Sequence, residues 1–207
     1  MSSISIIGTG NMARTIGARA TSGGNTVEVM GRDRSKAVDL AKALGGGATT
    51  GEWGAAPAGD IVIVALLFDG VVPAVTRYGD ALAGKIIVDI SNPFNAAFDG
   101  LAHGEETSIA QEVADVAPTG ASVVKAFNTV FRGVLEKGSP DIFIAGDSAR
   151  AKASTEVFVR SLGLRPVDVG GLKMAHWLEG AGLITVGLAQ HGVGHWDLAL
   201  GVTEFHG

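Results

Sequence analysis

The sequence predicts an α/β protein: a doubly wound, mostly parallel sheet with helices on both faces and a small C-terminal helical part. Three observations lead there. Short apolar runs, among them Ile61–Leu66 and Lys85–Val88, recur along the chain, and such runs suit strands buried on both faces. Between them lie stretches with apolar residues at helical spacing, an alternation that builds a parallel sheet with crossover helices. The 207 residues, 46% hydrophobic and 18% charged, suit one globular domain, or one domain with a small appendage.

Ser3–Ile7 reads as a first buried strand and Asn11–Thr21 as the helix after it. Thr26–Met30 and Ser35–Leu44 repeat the pair. Ile61–Leu66, Lys85–Val88, Ser122–Ala126 and Ile142–Ala145 supply further strands, and Arg165–Val169 a last one. Gly170–Gly171 then punctuates the chain. From Leu172 to about Val202 the residues are apolar, Gly-rich and helical in spacing. Gly180, Gly182, Gly187, Gly192 and Gly194 each cost a helix about 1 kcal/mol against alanine. Either close helix packing, within the fold or across a dimer, or the approach of a bulky planar ligand offsets that cost. The expected division is residues 1–145 as a nucleotide-binding domain and 146–207 as a strand–helix part that completes an acceptor cleft and a dimer interface.

The formal net charge of -5 argues against generic nucleic-acid binding. The sequence contains no cysteine, which excludes disulfides, thiolate catalysis and Cys-based zinc or iron–sulfur sites. No apolar stretch reaches the ~18 residues needed to span a bilayer. The opening MSSISIIGTG lacks the basic region of a signal peptide. The expectation is a cytoplasmic protein with neither a membrane nor a nucleic-acid partner.

Ile4–Ala13 reads ISIIGTGNMA, a G-x-G-x-x-A pattern that follows the first strand and opens the first helix. This is the dinucleotide-binding signature of Rossmann sheets. Gly8 allows a tight turn, Gly10 lets the backbone reach a pyrophosphate, and Ala13 lets the helix sit close on the sheet. Backbone donors around Thr9, Gly10, Asn11 and Met12 would take the phosphates. After the second strand the chain reads Gly31-Arg32-Asp33-Arg34-Ser35-Lys36. An NAD site usually places an acid at the strand end to accept from the ribose 2′-hydroxyl. Here Asp33 lies past Gly31 and Arg32, among cations. Arg32, Arg34 and Lys36 suit a 2′-phosphate instead. Cations at a helix start oppose the helix dipole, which also points to an anionic ligand. The cofactor expected is NADP(H).

In such a sheet, ligands lie beyond the carboxyl ends of the strands. Leu66, Leu67 and Phe68 would form an apolar wall there. Ser91, Asn92 and Pro93 would bring polar groups and a rigid proline to the nicotinamide. Asn128 and Thr129 end the next strand with an amide and a hydroxyl. No acid–base pair stands out: there is no triad spacing, and the one tyrosine, Tyr78, is not followed by lysine four residues on. Hydride transfer between two bound cofactors needs placement and exclusion of water more than acid–base help. His191 and His195, spaced i, i+4 on an expected helix, could hold a metal only with further ligands that nothing clearly supplies; no metal is expected. His176 and Glu179 read as polar anchors or helix-surface residues.

The order of these motifs resembles the NADPH-dependent reductases of coenzyme F420, a deazaflavin, over nearly the whole chain. The carrying segments are Ile6–Ala13, Met30–Lys36, Asp60–Phe68, Lys85–Pro93, Val123–Thr129 and Leu164–Glu179. The resemblance implies that Thr9–Met12, Gly31, Arg32 and Lys36 bind NADP. It also implies a deazaflavin site near Asn92, Pro93, Asn128 and Gly180–Gly182, and a homodimer with the C-terminal helices in its interface. The expected activity is hydride transfer between NADP(H) and the deazaflavin. The alternatives are an NADPH reductase of another small-molecule acceptor, such as a flavin, quinone or imine, or a nucleotide sensor without turnover.

Overall fold

In the computed structural model, which describes residues 1–104 and 107–205, one eight-stranded sheet organises the chain. β1 (Ser3–Ile7), α1 (Asn11–Ser22), β2 (Thr26–Met30), α2 (Arg34–Leu44) and the two-residue β3 (Thr49–Thr50) come first. β4 (Ile61–Val64), α3 (Phe68–Tyr78), β5 (Ile86–Asp89), α4 (Ile109–Val116) and β6 (Ser122–Lys125) follow. α5 (Arg132–Lys137), β7 (Asp141–Gly146), α6 (Ala149–Ser161), β8 (Arg165–Gly170) and α7 (Ala175–Gly187) complete the chain of elements. The strand order is β3-β2-β1-β4-β5-β6-β7-β8. The winding reverses between β1 and β4, and the crevice at such a reversal is where open α/β sheets take ligands.

Alternation along the strands sorts the core into two layers. Ile4, Ile6, Ile61, Ile63, Val88 and Val124 pack on one face beneath residues of α1, α2 and α6, such as Ile16, Leu40 and Phe158. Ile7, Val62, Val64, Ile87 and Val123 pack on the other, beneath residues of α3, α4 and α7, such as Val71, Val113 and Ala175. Coverage on both faces is why the strands read as unbroken apolar runs. Among the polar strand residues on the second face is a charged pair. Asp89 and Lys125 are partners in the β5–β6 register and are fully buried.

Two expectations need correction. The run around Ile142–Ala145 looks like another parallel strand, yet β7 pairs antiparallel with β6, and β8 runs parallel to β7. The link from β6 to β7 holds only the six-residue α5, and β7 starts from the end where β6 stops, as antiparallel neighbours do. The thirteen-residue α6 is long enough to carry the chain back, and β8 is parallel to β7. The second correction concerns the C-terminus. Helical structure does not extend to Val202: α7 ends at Gly187, a π-turn covers Leu188–Gly192, and residues 193–205 run without helix. Tertiary contacts hold this tail instead. Trp196 meets Phe131 edge-on at 5.0 Å, Ala199 bridges to Val130, and Val202 N donates to Asp141 Oδ2 at 2.8 Å. His195 therefore lies outside any helix and does not share a helical ridge with His191. No helix among the described residues is long and apolar enough to cross a membrane.

Candidate functional site

The turn after β1 is built from two glycines with different duties. Gly8 has φ +132°, and a Cβ there would sit 2.3 Å from the carbonyl oxygen of Ala65. Its N–H donates to Met30 O at 2.8 Å, which ties the turn to the end of β2. Gly8 is thus fixed by the protein's own backbone. Gly10 is the N-cap of α1, and a Cβ there would meet nothing within 4 Å. Among the described residues no side chain caps α1, and its first turn carries no acid. The N–H groups at Asn11 and Met12 thus sit at an exposed, positively polarised helix end.

The next helix is finished differently. Asp33 caps α2, accepting from Ser35 N at 3.0 Å and Lys36 N at 3.3 Å. The Ser35 hydroxyl, then the Lys36 N–H, hold the Asp33 carboxyl below its usual range. The acid that follows β2 is therefore committed to the helix. Arg34 pairs with Glu52 at 3.0 Å, and Lys36 lies 3.8 Å from Asp33. Among the described residues, exposed Arg32 is the cation of the three that has no ion pair. Gly31 gives the strand end room, since a Cβ there would lie 2.8 Å from Thr9 Cγ2.

Leu66 is partly buried, whereas Leu67 is 81% exposed at the N-terminus of α3. Beyond β5, Ser91 and Pro93 are buried and Asn92 is half-buried. Beyond β6, Phe127 has φ +62°, a left-handed backbone that is unusual for a bulky residue. Its ring is buried against Phe158, so packing sustains the strained turn that redirects Asn128. Asn128 Nδ2 donates to Asn92 Oδ1 at 2.9 Å and to Leu178 O at 2.8 Å. Asn92 Nδ2 returns a bond to Asn128 O at 2.7 Å. Among the described residues, two buried oxygens near this junction, Ser91 Oγ and Asn128 Oδ1, lack a partner. The glycines of α7 divide here. A Cβ at Gly182 would lie 2.9 Å from Asn92 Oδ1, so Gly182 serves close packing onto the asparagine pair. A Cβ at Gly180 would meet nothing within 4 Å.

Sequence reasoning missed one constellation. Lys125 Nζ donates to Asp89 Oδ2, Ser91 O and Glu179 Oε1, each at 2.7 Å. Glu179 is not a helix-surface residue: it is fully buried, and its Oε2 lies 2.6 Å from His103 Nε2. A signal was available. Lys125 interrupts Val123-Val124-x-Ala126-Phe127, and a charge inside a doubly buried strand demands a partner.

Residues 3–93 match the family described as NADP oxidoreductase, coenzyme F420-dependent. That stretch contains β1 to β5 and the turn at Ser91–Pro93. Over 180 residues the chain is 31% identical to the Metalloreductase STEAP3 of Rattus norvegicus, covering 85% of this chain and 35% of that protein. Over 143 residues it is 29% identical to the F420-dependent NADP reductase of Methanocaldococcus jannaschii, covering 65% and 64%. The chain thus spans about a third of the first relative and just under two thirds of the second. A crystal structure from Arthrobacter sp. FB24, named for an F420-dependent NADP-reductase, shares the fold. Its TM-score is 0.86 over 99% of this chain and 100% of that one, at 23% identity. Over residues 3–93 the chain is thus similar to the NADP oxidoreductases described as coenzyme F420-dependent.

Proposed function

We propose that the protein moves hydride between the nicotinamide of NADP(H) and a deazaflavin, coenzyme F420. One observation carries the nucleotide half: α1 begins without a side-chain cap beside an Arg32 that has no ion pair among the described residues. The N–H groups at Thr9, Gly10, Asn11 and Met12 would take the diphosphate, and Arg32 the 2′-phosphate with Lys36 and Arg34 beside it. Leu66 and Leu67 would wall the nucleotide on its apolar side. Bound NADP(H) supplies hydride at the nicotinamide ring. Ser91, Asn92, Pro93 and Asn128 would border that ring, fix its orientation and exclude water from it. The unpartnered Ser91 Oγ and Asn128 Oδ1 offer a hydrogen donor and an acceptor for an amide there.

The acceptor half rests on the family description and on the archaeal relative's name. In this reading residues 146–207 complete the acceptor cleft, with Gly180 leaving room for a planar molecule. The outward face of α7 exposes Trp177 and Ile184, with Met174 and Leu188 beyond either end. A second copy of the chain covers this apolar stripe, making a homodimer. We assign the protein to the cytoplasm.

A second reading keeps the nucleotide and changes the acceptor. It is favoured by the likeness to the metalloreductase, which extends over 85% of this chain against 65% for the archaeal reductase. NADPH oxidation separates the two when measured with F420, with a flavin, with a ferric chelate and with no acceptor. Turnover restricted to F420 supports the first reading. Turnover restricted to flavin or ferric chelate supports the second, and tight NADPH binding without turnover on any acceptor leaves a sensor. Light scattering that reports a monomer would overturn the dimer.

A further inference from the structure

Four ionisable side chains from four segments meet beneath α7, and the hydride reading above makes no use of them. Asp89 comes from β5, Lys125 from β6, Glu179 from α7, and His103 from the link between β5 and α4. The first three are fully buried, and the His103 side chain is 8% exposed.

The ammonium of Lys125 has three hydrogens and three acceptors at 2.7 Å, so it is saturated and its direction is fixed. One acceptor is the carbonyl of Ser91. Asp89 Oδ1 accepts from Ser91 N at 2.9 Å. Both backbone polar groups of Ser91 are therefore held by this one ion pair. Ser91 opens the Ser91–Asn92–Pro93 turn, and Asn92 then locks onto Asn128.

The hydrogen bonds also count a proton. His103 Nδ1 lies 2.9 Å from Gly104 O, which can only accept, so Nδ1 carries hydrogen. Nε2 lies 2.6 Å from Glu179 Oε2, where two bare acceptors would repel. A proton sits between them. Glu179 Oε1 already accepts from Lys125 and from Ile109 N at 3.0 Å, which favours the carboxylate, so the proton resides on His103. Two cations then balance two carboxylates in the interior, the condition under which buried charges persist. The further titratable group beside them among the described residues is His176 of α7. Its ring centre is 6.1 Å from that of His103, and its Nδ1 is 2.9 Å from Thr107 O.

We propose that Lys125 is a positioning residue for the nicotinamide end of the nucleotide, acting through the Ser91 backbone, with imidazolium His103 completing its charge balance. The inference rests on the nucleotide reading above. It predicts an effect confined to one end of the ligand. NADPH carries the nicotinamide; adenosine 2′,5′-bisphosphate keeps the adenosine and the 2′-phosphate and lacks the ring.

Calorimetric titration of both ligands into wild type, Lys125→Met and Asp89→Asn tests it. The asparagine amide cannot accept from both Lys125 and Ser91 N with separate oxygens, so Asp89→Asn breaks one hold and serves should Lys125→Met not fold. Loss of a charge-assisted anchor should weaken NADPH about tenfold and leave the bisphosphate within about twofold. Equal weakening of both ligands, or no change in either, would overturn the inference. A wild-type chain that binds neither ligand would overturn the nucleotide reading instead, a distinct result that removes this one with it. NMR of ring-labelled histidine reads the proton directly. His103 should carry both ring hydrogens in the wild type at neutral pH and only one in Glu179→Gln; a singly protonated wild-type ring overturns the charge balance.

Discussion

At the turn between β1 and α1 no side chain caps the helix donors, whereas around Lys125 every ammonium hydrogen is used within the protein. Both places are polar and lie near the carboxyl ends of the strands, yet they are finished in opposite ways. Open donors at an exposed helix end are capacity for a ligand. Saturated donors in a dry interior give shape, because each missing partner there costs the full desolvation of a charge. A site that must grip one molecule against another needs both: a flexible demand met by the ligand, and a rigid frame that the ligand does not supply. The pair of helix starts repeats the lesson on a smaller scale. Asp33 closes α2, whereas among the described residues no side chain closes α1, which leaves its donors open to the proposed anion.

Substitutions that exchange these two behaviours should break the comparison. The largest effect is expected at Lys125→Met, which strands Asp89 and Glu179 without their shared cation. Urea unfolding should show a loss of about 3–5 kcal/mol; a loss below about 1 kcal/mol would mean the cluster is not the frame described. At Gly10→Val the signs reverse. A Cβ there meets nothing within 4 Å, and the side chain would occupy the proposed approach to the diphosphate. NADPH affinity should fall by about a hundredfold or more, with a melting temperature within about 2 °C of wild type. Arg32→Glu should raise the KM for NADPH about tenfold and leave that for NADH nearly unchanged. Equal effects would move the 2′-phosphate to another cation.

The smallest effect is expected at the rim. Asp141 takes the Arg165 guanidinium and the Val202 N–H. The Arg165 hydrogen bond is the main cause that holds its carboxyl below the usual range, against the opposing pull of desolvation. A lowered folded value means stabilisation that is complete above the ordinary carboxylate range and lost as pH falls through that lowered value. Arg165 is half exposed, so screening keeps the gain small. Asp141→Asn should cost about 1 kcal/mol at neutral pH, and the difference from wild type should vanish in strong acid. A difference independent of pH would mean that the carboxylate charge is not what holds the tail.

The Rossmann turn was legible because its information is contiguous. Gly8, Gly10 and Ala13 lie within six residues, directly after an apolar strand, and the strain each relieves is local. The cations after β2 were equally visible; their ranking was not, since only the fold shows that Glu52 neutralises Arg34 and that Asp33 is spent on a cap. The Lys125 cluster draws on positions 89, 103, 125 and 179. Their spacing has no period, and Glu179 looks like any polar residue on a helix until the helix is docked. The C-terminal run misled for a related reason. Its apolar spacing suits a helix, but the pull of Phe131, Val130 and Asp141 on residues 196–202 comes from elsewhere in the chain.

By itself the sequence determined the strand–helix alternation, the G-x-G-x-x-A turn and the cation cluster after β2, since those depend on backbone geometry and charge within a few neighbouring residues. Only the tertiary structure decided the direction of β7, the duty of Gly182 and the meeting of four buried charges. These are set by which distant surfaces come into contact, and a buried charge persists only where the fold delivers its counterpart.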